Sequence, residues 1–481
     1  MELERFKSVL SRMLPGMLGF YALLFSFSCV SPKPGETSTS AEGENTTPSG
    51  EVLTLQPNNP IIPNKGANDP HIRIIDGKAY LSASHDKSAD NDGFIMEDWW
   101  LWVSGNLVDW ELVSVLKPEE TYIGKPFTGC WATDIVRRDG KYYWYFSERN
   151  EQAGVMVADN IDGPWTDPLG MPLLQEELTP SHEYDMGIIE DEGGNYYIVF
   201  GVWDFYIARL NSDMISLAEK PRKIIINNPR GPYNQDGQNE ERPTDDKPYL
   251  HFHKGKYYLS WGCFYAMSDN VYGPYDYKGS IIEKESFAEG YDAPTWPHGF
   301  KQGRHGSFFQ WNNQWYFAYC DISQTGNRYF RDTFISYLHY KENGEMAIIR
   351  VDGVGVGQYD ANGIIEAEDY FKSSGIAKTE NEYGGFHVDS IQNGDFLIFP
   401  NIYGLAQKTK IEFKASDLQK VGIEVREDSP EGEILARYKL RIQDSDVYEF
   451  DFPAQRGPVD LCLVFKGKGD NLLKLDAFLF K

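Results

Sequence analysis

Four aspartates and a histidine are the residues whose type and spacing suggest chemistry. They are Asp69, Asp134, Asp185, Asp246 and His305, and each precedes a strand-like stretch rich in aromatic residues. A single aspartate before a strand is usually a turn cap, but ionisable groups at the same place in five repeats are harder to explain in that way. Crowded carboxylates push their pKa values apart, so one can act as a base while another stays protonated as an acid.

The five stretches share one strand pattern, and this pattern defines the elements that must position the ionisable groups. Turn residues are followed each time by alternating aromatic and small residues, which is typical of hairpin strands in an antiparallel sheet. The copies are DGKAYLSAS from Asp76, DGKYYWYFS from Asp139, GGNYYIVFG from Gly193, KGKYYLSWG from Lys254 and NNQWYFAYC from Asn312. The repeat predicts an all-β fold with five four-stranded blades around an axis, over residues 59–358. The innermost strand of each blade starts beside the axis, so the five groups should converge in one cavity.

The composition argues against two classes of function. The 481 residues hold 46 Lys and Arg against 72 Asp and Glu, a net charge of −26. This excess would repel nucleic acid and an anionic membrane surface. Aromatic residues make up 15% of the chain, enough buriable area to exclude disorder for most of it. Four cysteines lie far apart without metal-type spacing and are expected to be buried free thiols: Cys130, Cys263, Cys320 and Cys462.

Residues 1–29 have the pattern of an export signal. Basic residues precede an apolar stretch that is too short for an ordinary membrane helix and ends at Phe27. Cys29 resembles the lipid-acceptor cysteine of bacterial lipoproteins, and a plain secretory signal cut nearby is the alternative. Residues 30–58 begin with a stretch that has almost no large apolar residue, which predicts a disordered tether. The expected location is the outer membrane or cell surface through a lipid anchor, or else the periplasm or the medium.

Five segments resemble glycoside hydrolase family 43. They are NPIIPNKGANDPHI at 59–72, WATDIVRRDGKYYWYFS at 131–147, YDMGIIEDEGGNYYIVFG at 184–201, DKPYLHFHKGKYYLSWG at 246–262 and RHGSFFQWNNQWYFAY at 304–319. The resemblance implies a five-bladed propeller that removes arabinofuranosyl, xylosyl or galactofuranosyl units. It also implies inversion, in which a base and an acid lie roughly 6.5 to 9.5 Å apart with a water molecule between the base and the sugar.

The resemblance assigns three catalytic roles. Asp69 matches the general base that activates water, and Asp185 matches the carboxylate that tunes and orients the acid. The acid is normally the Glu of a Glu-X-Pro segment, where this chain has Asp246 in Asp-Lys-Pro. Asp is one methylene shorter than Glu, so Glu240 or Glu241 from the preceding loop is an alternative acid, and loss of catalysis is a third interpretation.

Four further residues are expected to bind substrate. His305 matches an axial histidine that contacts a central ion or water in many relatives, which leaves room for an ion at the propeller axis; a histidine satisfied by hydrogen bonds is the alternative. Arg331 and Trp131 resemble sugar-binding positions, because a guanidinium can bind hydroxyls and an indole can stack on a sugar ring. Strand packing is the competing explanation for Trp131. Asp134 is expected to face the axial cavity with the other acids.

Residues 359–481 resemble a carbohydrate-binding module of family 6, which implies a β-sandwich of jelly-roll type. Glu366, Glu368 and Asp476 match the oxygen ligands of a structural calcium ion, a hard cation. The usual sugar-binding positions are changed to Ser390, Lys474 and Ala477. These changes favour a packing module over a sugar-binding one.

The sequence therefore predicts an inverting exo-glycosidase that acts on plant cell-wall polysaccharide side chains without a catalytic cofactor. An α-L-arabinofuranosidase comes first and a β-xylosidase or β-D-galactofuranosidase second, with arabinan, arabinoxylan or arabinogalactan as substrate. A non-catalytic surface glycan-binding protein on a disabled propeller is one alternative. An endo-arabinanase is another, although the insertion at 225–242 is expected to form a wall that closes one side of the groove.

Overall fold

A computed structural model describes residues 57–289, 291, 296–382, 384–455 and 457–481. Within these residues the regular structure is almost entirely strand, which confirms the all-β prediction. The helices described are short 3-10 turns at Pro118–Glu120, Lys284–Ser286, Ala367–Asp369 and Leu405–Gln407. None of the helices in the described part of the chain has the length and apolar character to span a bilayer. The predicted leader, with Cys29, and the tether up to residue 56 lie outside the described residues.

Five sheets follow one another along the chain and form the blades; their strands pair antiparallel except for a parallel pair of two-residue length in blade four. Blade one holds β1 (Ala67–Ile75), β2 (Lys78–Asp86), β3 (Met96–Ser104) and β4 (Glu111–Leu116). Blade two holds β5 (Cys130–Arg138), β6 (Lys141–Glu148) and β7 (Gln152–Ala158). Blade three holds β8 (Gly187–Glu190), β9 (Tyr196–Val202), β10 (Asp204–Arg209) and β11 (Arg222–Lys223). Blade four holds β12 (Ile226–Asn227), β13 (Pro248–His253), β14 (Lys256–Trp261), β15 (Phe264–Ser268) and β16 (Tyr275–Ser280). Blade five holds β17 (Gly306–Trp311), β18 (Gln314–Asp321) and β19 (Asp332–Leu338).

The innermost strands close into a ring. Contacts run from β1 to β5, β5 to β8, β8 to β13 and β13 to β17, and β17 contacts β1 again. The segment before β1 seals the ring, because Asn59 exchanges hydrogen bonds with the backbone of Ile335 and the Ile61 amide donates to Thr333 O. The prediction of four strands in every blade is wrong for three of them. Blades two and five have three strands and blade four has five.

The aromatic pattern of the repeats is explained by burial on both faces of the second strands. The β6 residues Tyr143, Trp144, Tyr145 and Phe146 are consecutive and all buried. Successive strand side chains point to opposite faces, so both faces of β6 must be covered by neighbouring blades. Aromatic side chains fill this space with large apolar area, which rigidifies the strands that lead to the axis.

The C-terminal strands form two facing sheets. The first contains β20 (Tyr359–Asp360), β22 (Lys372–Ser374), β25 (Phe396–Tyr403), β27 (Val421–Glu427), β28 (Ile434–Leu440) and β30 (Val459–Gly467). The second contains β21 (Ile364–Glu366), β23 (Ala377–Glu380), β24 (Phe386–Asp389), β26 (Lys410–Ser416), β29 (Val447–Asp451) and β31 (Lys474–Phe480). Phe399 of one sheet packs edge-on against Phe478 of the other, with ring centroids 4.9 Å apart. This is the predicted β-sandwich.

The sandwich packs directly on blade five. Gln314 at the start of β18 donates to the backbone oxygens of Glu368 and Tyr370, at 2.8 and 3.0 Å. Tyr370 donates in return to Asn313 O, and the hydroxyls of Tyr337 and Tyr359 lie 2.8 Å apart. Buried hydrogen bonds between the two domains fix their contact.

Candidate active site

Three of the five blades present left-handed residues where their inner strands begin. Asp69, Asp185 and Lys247 have φ angles of 50°, 58° and 52°. This region is uncommon for residues other than glycine, and it turns these side chains away from the regular alternation of the strand. The chain before β1 is held in place by Asp332, which accepts the amide of Gly66 at 2.8 Å. A Cβ at Gly66 would lie 2.3 Å from Asp86 O, so only glycine fits there.

Asp69 is buried and surrounded by groups that favour its ionised form. Its carboxylate accepts from Arg331 Nη1 at 3.2 Å and from Ser84 Oγ at 2.9 Å. Its amide donates to Cys320 Sγ, and its carbonyl accepts from Lys247 Nζ. Burial alone would raise the pKa of Asp69, but the charges of Arg331, Lys247 and His305 hold it well below its usual range. Asp69 is therefore ionised at neutral pH, as a general base must be.

Asp185 has the opposite electrostatics. It is buried, and its backbone amide donates to Ser147 Oγ at 3.0 Å. Burial, together with the negative charges of Asp246 and Asp69, raises the pKa of Asp185 well above its usual range. The sequence-based expectation was a charged Asp185 that keeps the acid protonated. The raised pKa instead favours the protonated form of the buried Asp185, because neighbouring carboxyl groups cannot both ionise cheaply.

Asp246 is the most accessible of the three acids, with a side chain 33% exposed. Its Oδ1 lies 3.0 Å from His305 Nε2, but the geometry does not satisfy hydrogen bonding, and Oδ1 has no hydrogen-bond partner among the described residues. The other ring nitrogen, His305 Nδ1, lies 3.7 Å from Asp69 Oδ1. One imidazole ring thus lies between the base and the predicted acid.

An ion at the propeller axis stays a prediction. Asp245, Asp246 and His305 offer ligand atoms within 4.8 Å of one another. However, the cations of Arg331 and Lys247 are already buried beside Asp69, and like charge would oppose a further cation. His305 reaches this place because the chain after it lies close to β18. A Cβ at Gly306 would be 1.7 Å from Ala318 O.

Asp134 does not join the other acids. It is fully buried, and its oxygens accept from the guanidinium of Arg73 and from the Ile188 amide. Burial would raise the pKa of Asp134, but the charges of Arg73 and His71 hold it below its usual range. Both oxygens are occupied, so Asp134 has a structural position and the expectation that it faces the axial cavity is wrong.

The register explains this difference. The irregularity in blade one falls between Asn68 and His71, at Asp69, and the one in blade two falls between Trp131 and Thr133, at Ala132. Asp134 is therefore equivalent to His71, two residues further along the strand. Ala132 takes the place of Asp69 in blade two.

An aromatic wall borders the acids on one side. Trp131 is half-buried and contacts Tyr184 and Phe94 edge-on, at centroid distances of 5.8 and 6.2 Å. Phe94 is 42% exposed, and the Arg331 guanidinium lies 5.0 Å from its ring centroid. Arg331 is thus held between Phe94 and the carboxylates of Asp69 and Asp86. An exposed ring beside buried acids is suited to a sugar face.

The insertion at 225–242 forms a second wall. Tyr233 lies close to Asp245 and Asp246, which together with burial raise its pKa to about 12. Its hydroxyl accepts from Gln302 at 2.8 Å. Arg242 stacks on Trp203 and Tyr233, with its guanidinium carbon 4.6 and 5.6 Å from the ring centroids. Glu240 and Glu241 are exposed on this insertion, unlike Asp246 at the axis.

Several groups at the site were not found from the sequence. They are Ser84, Asp86, Phe94, Asp245, Lys247 and Cys320. The Asp86–Arg331 pair joins positions 245 residues apart, with Nε–Oδ2 at 3.0 Å and Nη2–Oδ1 at 3.1 Å. Only Lys247 carried a sequence signal, because it stands inside the Asp-Lys-Pro segment.

The predicted calcium ligands lie together only in part. Glu368 is buried, and its Oε2 has no hydrogen-bond partner among the described residues. Glu366 pairs in the sheet with Ala477, next to Asp476. Asp476, however, is bound by Asn381 Nδ2 and by Lys414 Nζ, both at 2.6 Å. The unpartnered oxygen of Glu368 fits a hard cation, whereas the oxygens of Asp476 are already taken.

The predicted buried thiols are confirmed, since Cys130, Cys263, Cys320 and Cys462 are all free and buried. A cavity of about 680 Å³ lies elsewhere, at the opposite ends of the inner strands, and Arg73, Tyr249 and His251 are among its lining residues. It includes none of the three axial acids.

The fold and the acid cluster define a glycoside hydrolase. The family model for glycosyl hydrolases family 43 matches residues 57–346, and the chain belongs to this family. The model for carbohydrate binding module family 6 matches residues 366–481.

Named relatives agree with this assignment. A xylosidase/arabinosidase of Bacteroides ovatus is 27% identical over 61% of this chain and 97% of the relative. An arabinoxylan arabinofuranohydrolase of Paenibacillus polymyxa is 27% identical over 88% of this chain and 74% of the relative. The crystal structure of an arabinoxylan arabinofuranohydrolase from Bacillus subtilis, in complex with cellotetraose, superposes with a TM-score of 0.51 at 21% identity. It covers 88% of this chain and 97% of the solved one, and shows a shared fold.

Proposed function

We propose that this glycoside hydrolase is an inverting α-L-arabinofuranosidase that releases terminal sugars from plant cell-wall side chains, with arabinoxylan as the first substrate to test. The observation that carries the proposal is the contrast between two acids on either side of His305. Nearby cations lower the pKa of the buried Asp69, whereas Asp246 is partly exposed. The names of the relatives support the sugar class, and β-xylosidase and β-D-galactofuranosidase activities are the alternatives.

The chemistry follows from these positions. Asp69 accepts a proton from water, which attacks the anomeric carbon in one displacement. Asp246 donates a proton to the leaving oxygen, and no covalent intermediate forms. Asp185 exchanges its proton with Asp246 as the charge of the pair changes. Arg331 and Phe94 bind the sugar from one side, and the insertion wall with Tyr233 limits the groove on the other, which favours exo action.

The test is hydrolysis of nitrophenyl α-L-arabinofuranoside, β-xyloside and β-D-galactofuranoside and of arabinan, arabinoxylan and arabinogalactan, followed by ¹H NMR. We expect release of monosaccharide whose first-formed anomer is inverted. Initial appearance of the retained anomer would refute single displacement. Glycan binding without turnover on any of these substrates would favour the non-catalytic alternative, and oligosaccharide products from arabinan would favour an endo-arabinanase.

We also propose a structural calcium ion held by Glu366 and Glu368, on the ground of the unpartnered, buried Glu368 Oε2. The calcium ion would neutralise the carboxylates of Glu366 and Glu368 and take no part in hydrolysis. The sandwich itself is proposed as a packing module, because Ala477 is buried, Lys474 pairs with Asp417 at 2.9 Å, and Ser390 offers no ring to stack on a sugar. Export with lipidation at Cys29 stays a prediction.

A further inference from the structure

A lysine is buried where the propeller brings its acids together. Lys247 is 1% exposed, and its Nζ donates to the backbone carbonyl of Asp69 at 2.7 Å. Its φ angle of 52° lies in the left-handed region, which is disfavoured for lysine. Lysines are almost never fully buried without paired charge. Two unfavourable features at one residue indicate that the protein retains this side chain for a function.

The charges around the base require a second cation. The carboxylates of Asp69 and Asp86 share one guanidinium, since Arg331 binds Asp86 through Nε and Nη2 and Asp69 through Nη1. One positive charge cannot neutralise two buried carboxylates. Lys247 is the second cation that lowers the pKa of Asp69, and burial lowers the pKa of Lys247 itself.

We propose that Lys247 is a positioning residue for the catalytic base, a built-in cation at the propeller axis that keeps Asp69 ionised and fixes its backbone. The inference rests on the proposed function, because it takes Asp69 as the base. The hydrogen bond to the carbonyl holds the Asp69 peptide in its left-handed conformation, and the ammonium charge stabilises the carboxylate. Lys247 itself transfers no proton and forms no bond to the substrate.

The groups facing Asp69 come from blades one, three, four and five. The titratable or charged ones are Asp86, Asp185, Lys247, His305, Cys320 and Arg331. Among them the cations Lys247 and Arg331 oppose the carboxylates, and Cys320 stays a thiol because burial raises its pKa. Removal of Lys247 leaves Arg331 shared between Asp69 and Asp86, so Asp69 should take up a proton at higher pH.

The experiment is the pH profile of kcat/KM on the nitrophenyl glycoside that the wild type hydrolyses best. A base works only above its pKa, so loss of Lys247 should move the acidic limb upward. We expect a shift of about one pH unit for Lys247→Met, as for loss of an opposite charge near a carboxylate. Lys247→Gln can keep the hydrogen bond to Asp69 O without the charge, and should shift the limb nearly as far. Lys247→Arg keeps the charge and should restore most of the wild-type limb.

A matched control removes a partly buried lysine elsewhere. Lys378 lies in the sandwich, 3.2 Å from His339 Nδ1, and burial lowers its pKa to about 7. Lys378→Met should lower the melting temperature and leave the acidic limb in place. An unshifted limb in Lys247→Gln or in Lys247→Met would overturn the charge role of Lys247. Absence of wild-type turnover would instead refute the proposed function, so the two failures are distinguishable.

Discussion

The propeller axis and the acidic corner of the sandwich, defined by Glu366, Glu368 and Asp476, bury carboxylates in opposite electrostatic settings. At the axis, burial would raise the pKa of Asp69, but Arg331, Lys247 and His305 hold it low. In the corner, burial and the negative charges of Asp369 and Glu366 raise the pKa of Glu368 to about 9. Burial acts in the same direction in both places. The neighbouring charges decide whether a buried carboxyl is a base at neutral pH or an acid that needs a partner.

This difference separates two kinds of functional acid. Asp69 is fully compensated by groups of the protein, so it is ready to remove a proton from water. Glu368 has one oxygen without a hydrogen-bond partner among the described residues. Lys378 is the nearby cation that lowers the pKa of Glu368, and it does not offset the effect of burial and of Asp369. A carboxylate of this kind reaches its charged form when an added cation binds.

The largest expected effect comes from removing the compensated base. Asp69→Asn keeps the shape of the side chain and loses the negative charge, so turnover should fall by about 10³-fold, within the usual contribution of a general base. Asp76→Asn is the control, because this carboxylate is 72% exposed in the same blade. Equal kcat/KM for Asp69→Asn and Asp76→Asn would show that the axis holds no base.

Removing the Arg331 cation should leave the axis, like the acidic corner of the sandwich, with buried carboxylates that lack enough positive charge. Arg331→Met leaves Asp69 and Asp86 buried with one cation fewer, which should cost about 3–5 kcal/mol of unfolding free energy. The urea midpoint of unfolding measures this effect. Arg350→Met is the control: its side chain is 63% exposed and pairs with Asp352, and it should cost no more than about 1 kcal/mol. Similar midpoints for both variants would contradict the charge balance.

The loss of activity on replacing the predicted acid should depend on the leaving group of the substrate. Asp246→Asn removes the proton donor, so release of arabinose from arabinoxylan should fall by about 10²-fold. A dinitrophenyl glycoside, whose leaving group needs little protonation, should lose much less. The double variant Glu240→Gln, Glu241→Gln tests the loop as the source of the acid. If this double variant instead shows the leaving-group dependence, Asp246 is not the acid.

The smallest effect is expected in the corner. A raised pKa means that the folded state holds a proton that the unfolded state has lost, so without divalent ions stability should fall as pH rises from 4.5 to about 9. Calcium should raise the melting temperature at pH 8 by a few °C. Glu368→Gln should remove both effects, whereas the exposed Glu427→Gln should keep them. A calcium response that survives Glu368→Gln would place the ion elsewhere.

The blades could be predicted from the sequence because each one contains a short stretch of alternating aromatic and small residues. Aromatic residues on both faces of a strand must be covered, and five such strands predict five blades. The sequence was a poorer guide to which side chains lie at the axis, as Asp134 shows. Asp134 stands two residues further along its strand than the position equivalent to Asp69, so its side chain lies in the wall and not at the axis.

The sequence by itself determined the class of fold, the number of blades and the family resemblance, because each of these follows from a short repeated pattern. Only the tertiary structure decided which groups share charge with the axial acids. Arg331, Asp86 and Lys247 come from distant segments, and their approach to Asp69 depends on closure of the ring. A pKa depends on charges a few ångströms away in space, and separation along the chain does not show which charges come that close.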